Sequence, residues 1–139
     1  MKSILLVDDE AAICAELQRT LCQFGYQVDV AHTFEMALAS IGKAEFDLIL
    51  VEFNLAAEGG NHARSGGGIR LVREFRSSGI RIPILIYTVM EGEMYETASR
   101  DSGADGFLLK TKPISGLVSR LRAHIERNES GFDAPQPSV

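Results

Sequence analysis

The feature that most constrains this chain is an alternation of two hydrophobic patterns. Short continuous apolar runs take turns with stretches whose apolar residues recur every three or four positions. Ser3-Ile4-Leu5-Leu6-Val7 is the first run. Having no polar alternation, it suits a strand covered on both faces. Ile13, Leu17, Leu21 and Phe24 follow at helical spacing, and Gly25 is a stop signal. Tyr26, Val28 and Val30 alternate as a second strand. Thr33 can cap the next helix, whose face is Phe34, Ala37, Leu38 and Ile41, with Gly42 ending it. A third strand is predicted over 46–52 and a helix over 69–76, with Leu71, Val72 and Phe75 inward. A fourth strand covers 82–87. Met94, Tyr95 and Ala98 mark a weakly patterned helix ending at Gly103. Gly106-Phe107-Leu108-Leu109 reads as a fifth strand. Pro113 suits the first turn of a final helix with the face Ile114, Leu117, Val118, Leu121 and Ile125.

Five such strand–helix units predict an α/β fold, a parallel sheet between two helical layers. In such sheets ligands bind beyond the carboxyl ends of the strands, where the strand order reverses. Those ends carry Asp8-Asp9, Glu52, Thr88 and Lys110. With the strands ordered 2-1-3-4-5, Asp8, Asp9 and Glu52 meet. Three close carboxylates repel unless a cation lies between them, and all-oxygen ligands suit a hard ion such as magnesium. Thr88 adds a hydroxyl and Lys110 a compact positive charge, so the set fits a tetrahedral anion beside a metal. Each piece alone has an ordinary reading: acids favoured by a helix dipole, or polar strand ends facing water. Their joint placement at one sheet edge is what points to a site.

These stretches resemble the receiver domain of two-component response regulators over about residues 1–127. ILLVDDE carries the family's acidic pair, and FDLILVEFNL the strand that ends in its phosphoacceptor. ILIYT carries the Ser/Thr, and SGADGFLLK the aromatic residue and the lysine. The resemblance implies a flavodoxin-like (βα)5 sandwich and a phosphorelay role. It implies magnesium held by Asp8, Asp9, Glu52 and the backbone carbonyl of Asn54. Thr88 and Lys110 would contact phosphoryl oxygens, and Phe107 would be the switch aromatic. A protein partner would dock on the face of the fourth helix, fifth strand and fifth helix. That partner would be a histidine kinase, a phosphotransfer protein or another receiver, and a homodimer is a further option. Met90, Met94, Tyr95, Phe107 and Arg120 belong to that face.

The chain departs from the family where aspartate should be phosphorylated, because it has Glu52. The extra methylene adds about 1.5 Å of reach, and in-line transfer is sensitive to errors of about 1 Å. The longer side chain can also approach Lys110 or Thr88 with no phosphate present. The favoured expectation is a stand-alone atypical receiver in which Glu52 imitates or bypasses phosphorylation, without enzymatic activity. Alternatives are a degenerate scaffold, a receiver still phosphorylated by a kinase, and a phosphatase or phosphotransferase using Glu52 or Asp9 as nucleophile. A flavin or nucleotide site is disfavoured, since Asp8-Asp9 stands where a phosphate loop would be. The segment 54–68 is glycine-rich, lacks the family's proline and is longer than the usual loop, which predicts a mobile flap. His62 and Arg64 within it can swing over the acids, and Gly66-Gly67-Gly68 can form an anion nest. Lys112 is the fallback for Lys110, and Pro113 comes too late for a cis bond directly after Lys110.

Composition sets the outer limits. The chain has 139 residues, 45% of them hydrophobic, enough for one cored domain. A net charge of -5 argues against direct nucleic-acid binding. No apolar run nears the roughly 20 residues that span a bilayer, and the start lacks a signal-peptide pattern. Cys14 and Cys22 stand about 12 Å apart along a helix, too far for a disulfide. They read as buried reduced thiols of a cytoplasmic protein. The domain is placed at 1–127, with a disordered tail over 128–139 and no output domain after it.

Overall fold

A computed structural model describes residues 1–56 and 66–130. In chain order the elements are β1 (Ser3–Val7), α1 (Ala11–Gln23), β2 (Gln27–Ala31), α2 (Phe34–Lys43) and β3 (Leu48–Val51). After them come α3 (Gly67–Ser77), β4 (Ile84–Thr88), α4 (Glu93–Ser102), β5 (Gly106–Leu109) and α5 (Ile114–Glu129). Every strand pairing is parallel, and the sheet order is β2-β1-β3-β4-β5. This is the flavodoxin-like (βα)5 architecture that the family resemblance implies, and its parallel sheet between two helical layers is what the alternating pattern predicts.

The sheet divides the core in two. Leu5, Val7, Ile49, Val51 and Ile86 pack against Phe34 and Ala37 of α2 and Leu71, Val72 and Phe75 of α3. On the other face Ile4, Leu6, Leu48, Leu50 and Tyr87 pack against α1 and α5, through Cys14, Leu17, Leu21, Leu117, Leu121 and Ile125. All four residues of β3 are fully buried. Burying one such side chain is worth about 1.5–3 kcal/mol. The central strands are therefore firmly held, and so are the positions at their ends.

Several boundaries differ from the sequence expectation. Gly42 does not stop α2, which runs to Lys43 and closes when the Ala44 N–H reaches the Ser40 carbonyl at 3.2 Å. β4 starts at Ile84, not 82, because Arg76 Nη1 takes the Ile82 carbonyl at 2.9 Å. α3 starts at Gly67, after Gly66 turns the chain at φ 95°. α5 continues to Glu129, inside the segment expected to fray, and Glu129 pairs with Lys2 at 2.8 Å. Phe24 and Ile114, assigned to buried stripes, are 48% and 37% exposed. Cys14 is buried as expected, but Cys22 is exposed.

Candidate functional site

Register assembles the site. Val7 pairs with Val51, so Asp8 and Glu52 leave neighbouring strands at the same level. The Glu52 N–H donates to the Val7 carbonyl at 2.9 Å, extending that ladder by one step. Thr88 ends β4 opposite Leu109, and the Lys110 N–H donates to the Thr88 carbonyl at 2.8 Å. Parallel pairing thus brings Asp8, Glu52, Thr88 and Lys110 to one edge of the sheet.

Their side chains close on one another. Lys110 Nζ donates to Asp8 Oδ2 at 2.5 Å and to Glu52 Oε1 at 2.7 Å. Thr88 Oγ1 donates to Glu52 Oε2 at 2.6 Å, and the Asn54 N–H donates to the same oxygen at 3.0 Å. Asp8 Oδ1 accepts the Glu10 N–H at 3.0 Å. Both oxygens of each acid therefore have a donor. The side chains of Lys110, Asp8 and Glu52 are 9%, 3% and 7% exposed. Burial by itself disfavours the Lys110 charge, but the hydrogen bonds and charges of Asp8 and Glu52 outweigh it and raise its pKa above the ordinary lysine value. The Tyr87 ring lies 5.9 Å from Nζ, within cation–π reach.

The floor beneath Asp8 is also bonded. Its carbonyl accepts from Cys14 Sγ at 3.3 Å and contacts His32 Nδ1 at 3.1 Å. A carbonyl only accepts, so Nδ1 is the protonated nitrogen of His32. Burial first, and the Asp8 charge second, push the Cys14 thiol up to about 11.

The start of α3 supports the backbone around Glu52. A Cβ on Gly68 would overlap the Glu52 carbonyl, and one on Gly67 would overlap the Leu55 carbonyl. The Gly68 N–H donates to the Phe53 carbonyl at 3.1 Å. Gly67 and Gly68 thus serve close backbone packing, a different use from an anion nest. Next to Glu52, the Phe53 ring meets Tyr95 of α4 edge-on, with centroids 5.1 Å apart and planes at 81°.

The model of the response regulator receiver domain family matches residues 4–122. This chain belongs to that family. Among curated relatives it is similar to the response regulator MprA of Mycobacterium avium, 31% identical over 131 residues, covering 94% of this chain and 54% of the relative. The MprA of Mycobacterium ulcerans is 31% identical over 136 residues, 98% of this chain and 55% of that one. The chain spans about half the length of these relatives. Among solved structures, the BeF3-activated receiver domain of Klebsiella pneumoniae RstA aligns with a TM-score of 0.79 at 26% identity, covering 89% of this chain and 98% of that one. A CheY-like receiver of Methanospirillum hungatei gives 0.81 at 24% identity, covering 94% and 98%.

Within this receiver the sequence-predicted residues fall into two groups. Asp8, Glu52, Thr88 and Lys110 converge. Asp9 does not join them: it is exposed, and its Oδ2 accepts the Ala56 N–H at 3.2 Å. Phe107 pairs with Ile86 and is half-buried against the core. Lys112 is exposed. His62 and Arg64 lie outside the described residues. Sequence reasoning missed the Asn54 N–H and the Tyr87 ring. Tyr87 immediately precedes Thr88 and so faces the opposite side of the sheet, and only the reach of Lys110 over that side reveals the contact.

Receiver domains generally bind Mg2+ at the phosphorylation site. The donor set expected here was Asp8, Asp9, Glu52 and the Asn54 carbonyl. Among the described residues no group of three or more His, Cys, Asp or Glu side chains is placed to hold a metal ion. The Glu52 carboxylate is drawn to Thr88 and Lys110, and Asp8 is drawn to Lys110, so the three acids do not share a centre. No helix among the described residues is long and apolar enough to cross a membrane.

Proposed function

We propose that this receiver is an atypical response-regulator module that controls a protein partner, with Glu52 at the phosphoacceptor position. The observation that carries the reading is the pair of hydrogen bonds to the Glu52 carboxylate, 2.6 Å from Thr88 Oγ1 and 2.7 Å from Lys110 Nζ. These are the groups that the family resemblance assigns to phosphoryl oxygens. The longer side chain therefore satisfies the hydroxyl and the ammonium without a phosphoryl group. The inward contact of Thr88 and the Phe53–Tyr95 ring pair connect that state to α4.

The partner docks on the α4–β5–α5 face, where Met94 is 70% exposed and a groove is bordered by Glu96, Phe107, Lys112 and Arg120. A histidine kinase, a phosphotransfer protein or a second receiver fits the role, acting in the cytoplasm. The domain is one unit over 1–127 whose last helix continues to Glu129. In this reading it performs no covalent catalysis of its own, and the Glu52 carboxylate is a fixed acceptor for Lys110, Thr88 and Asn54. Incubation with acetyl phosphate and magnesium, followed by intact mass, is the test. Wild type stays unmodified, whereas Glu52→Asp gains one phosphoryl group and binds the partner only when modified. A phosphoryl group on wild-type Glu52 overturns the reading.

A further inference from the structure

The seat that a divalent cation takes between the acids of a receiver has a protein-borne occupant here. We infer that the Lys110 ammonium serves as the resident cation of this pocket, and that the receiver keeps its Glu52 arrangement without magnesium. The inference rests on the mimic reading and extends it to how the site is regulated.

Magnesium demands near-octahedral oxygen ligands at about 2.0–2.1 Å and gives up its waters reluctantly. Every carboxylate oxygen of Asp8 and Glu52, the buried acids, already accepts from a protein donor. Asp8 uses one for Lys110 and one for the Glu10 N–H. Glu52 uses one for Lys110 and shares the other between Thr88 and Asn54. Asp9 keeps one oxygen outside its bond to Ala56, but it is exposed and turned to that loop. The one buried side-chain acceptor without a partner among the described residues is Asn54 Oδ1, a single neutral oxygen.

A metal drawn to these acids competes with Lys110, which pairs with both of them from a site where its side chain is 9% exposed. Unpairing a charge at such a site is costly. The Glu52 backbone is backed on its carbonyl side by Gly68, where a Cβ would overlap that oxygen. Lys110 and a divalent ion compete for the same two negative charges, and the tethered ammonium holds them.

The test follows amide signals by NMR while Mn2+, a paramagnetic stand-in for magnesium, is titrated. In wild type the Asp8, Asp9 and Asn54 amides broaden no more than that of Gly79, which precedes β4 at the other end of the sheet. Lys110→Met frees both acids, and Glu52→Asp shortens the arm that reaches Lys110. Each variant broadens those three amides selectively, with an affinity gain of at least about tenfold. If Lys110→Met does not fold, Glu52→Asp decides. Selective broadening in wild type overturns the inference, as does a lack of gain in the folded variants. Acetyl phosphate separates the two claims. Manganese binding to wild type without phosphorylation defeats only this inference, whereas phosphorylation of Glu52 defeats the mimic reading.

Discussion

Glu52 is longer than aspartate by one methylene, and its one carboxylate holds Thr88, Lys110 and the Asn54 N–H together. The two side-chain partners make unequal contributions. Lys110→Met leaves Asp8 and Glu52 as buried acids without a counter-charge, which costs about 3–5 kcal/mol at neutral pH. Thr88→Val removes one hydrogen bond to a charged acceptor that keeps other donors, costing about 1.5–3 kcal/mol. Urea unfolding of the two variants should give that order, and equal losses would mean that the ammonium is not the main stabiliser. The thiols provide a second residue-scale test. Cys14 is buried, bonded to the Asp8 carbonyl and raised to about 11, while Cys22 is exposed. A thiol reagent at mildly alkaline pH should modify Cys22 in the native protein and reach Cys14 only after denaturant is added. Peptide mapping distinguishes them.

At the scale of elements, glycines separate what the sequence reveals from what it hides. The run 66–68 reads as punctuation before a helix, and a helix does begin there. Nothing in the run shows that Gly68 lies on the Glu52 carbonyl, because that contact depends on how α3 returns to the end of β3. Gly68→Ala has to displace backbone and should cost more than about 2 kcal/mol, as other overpacked sites do. Gly116, inside α5, has open space where a methyl would stand, so Gly116→Ala should instead stabilise by about 0.5–1 kcal/mol. Thermal melts of the pair check both signs. Strand and helix identities were legible because short continuous apolar runs and apolar spacings of three to four are local properties. The boundaries at Gly42 and Ile82 were not, since each depends on a hydrogen bond: Ala44 to Ser40 in one case, Arg76 to the Ile82 carbonyl in the other.

For the whole molecule, the convergence of Asp8, Glu52, Thr88 and Lys110 was legible because strand ends in a parallel sheet meet where the order reverses, whereas the outward turn of Asp9 to the Ala56 N–H was not. The closure of Lys110 on both acids was not, because it depends on how far one side chain reaches across β4 toward β1 and β3. Arg76 shows the same limit at the opposite end of the sheet. It donates to the carbonyls of Gly103, Ile80 and Ile82 and pairs with Asp105, binding α3 to the starts of β4 and β5, yet in sequence it is one more exposed-looking arginine. Closure of the pocket also fixes how the folded state responds to alkali. Folding raises the Lys110 pKa above 10.5, so its contribution is complete below that value and is lost as pH climbs through the folded pKa. Cys14 acts in the same direction. Its thiol ionises near 9.0 when unfolded but near 11 when folded, so the unfolded state loses protons first and gains favour as pH rises. Melting temperatures followed from neutral pH through the lysine range should therefore fall steadily in wild type. Lys110→Met starts lower but lacks the lysine part of that fall, so the gap between the two proteins should narrow as pH rises. A gap that stays constant across the lysine range would mean that the Lys110 charge does not hold the two acids together.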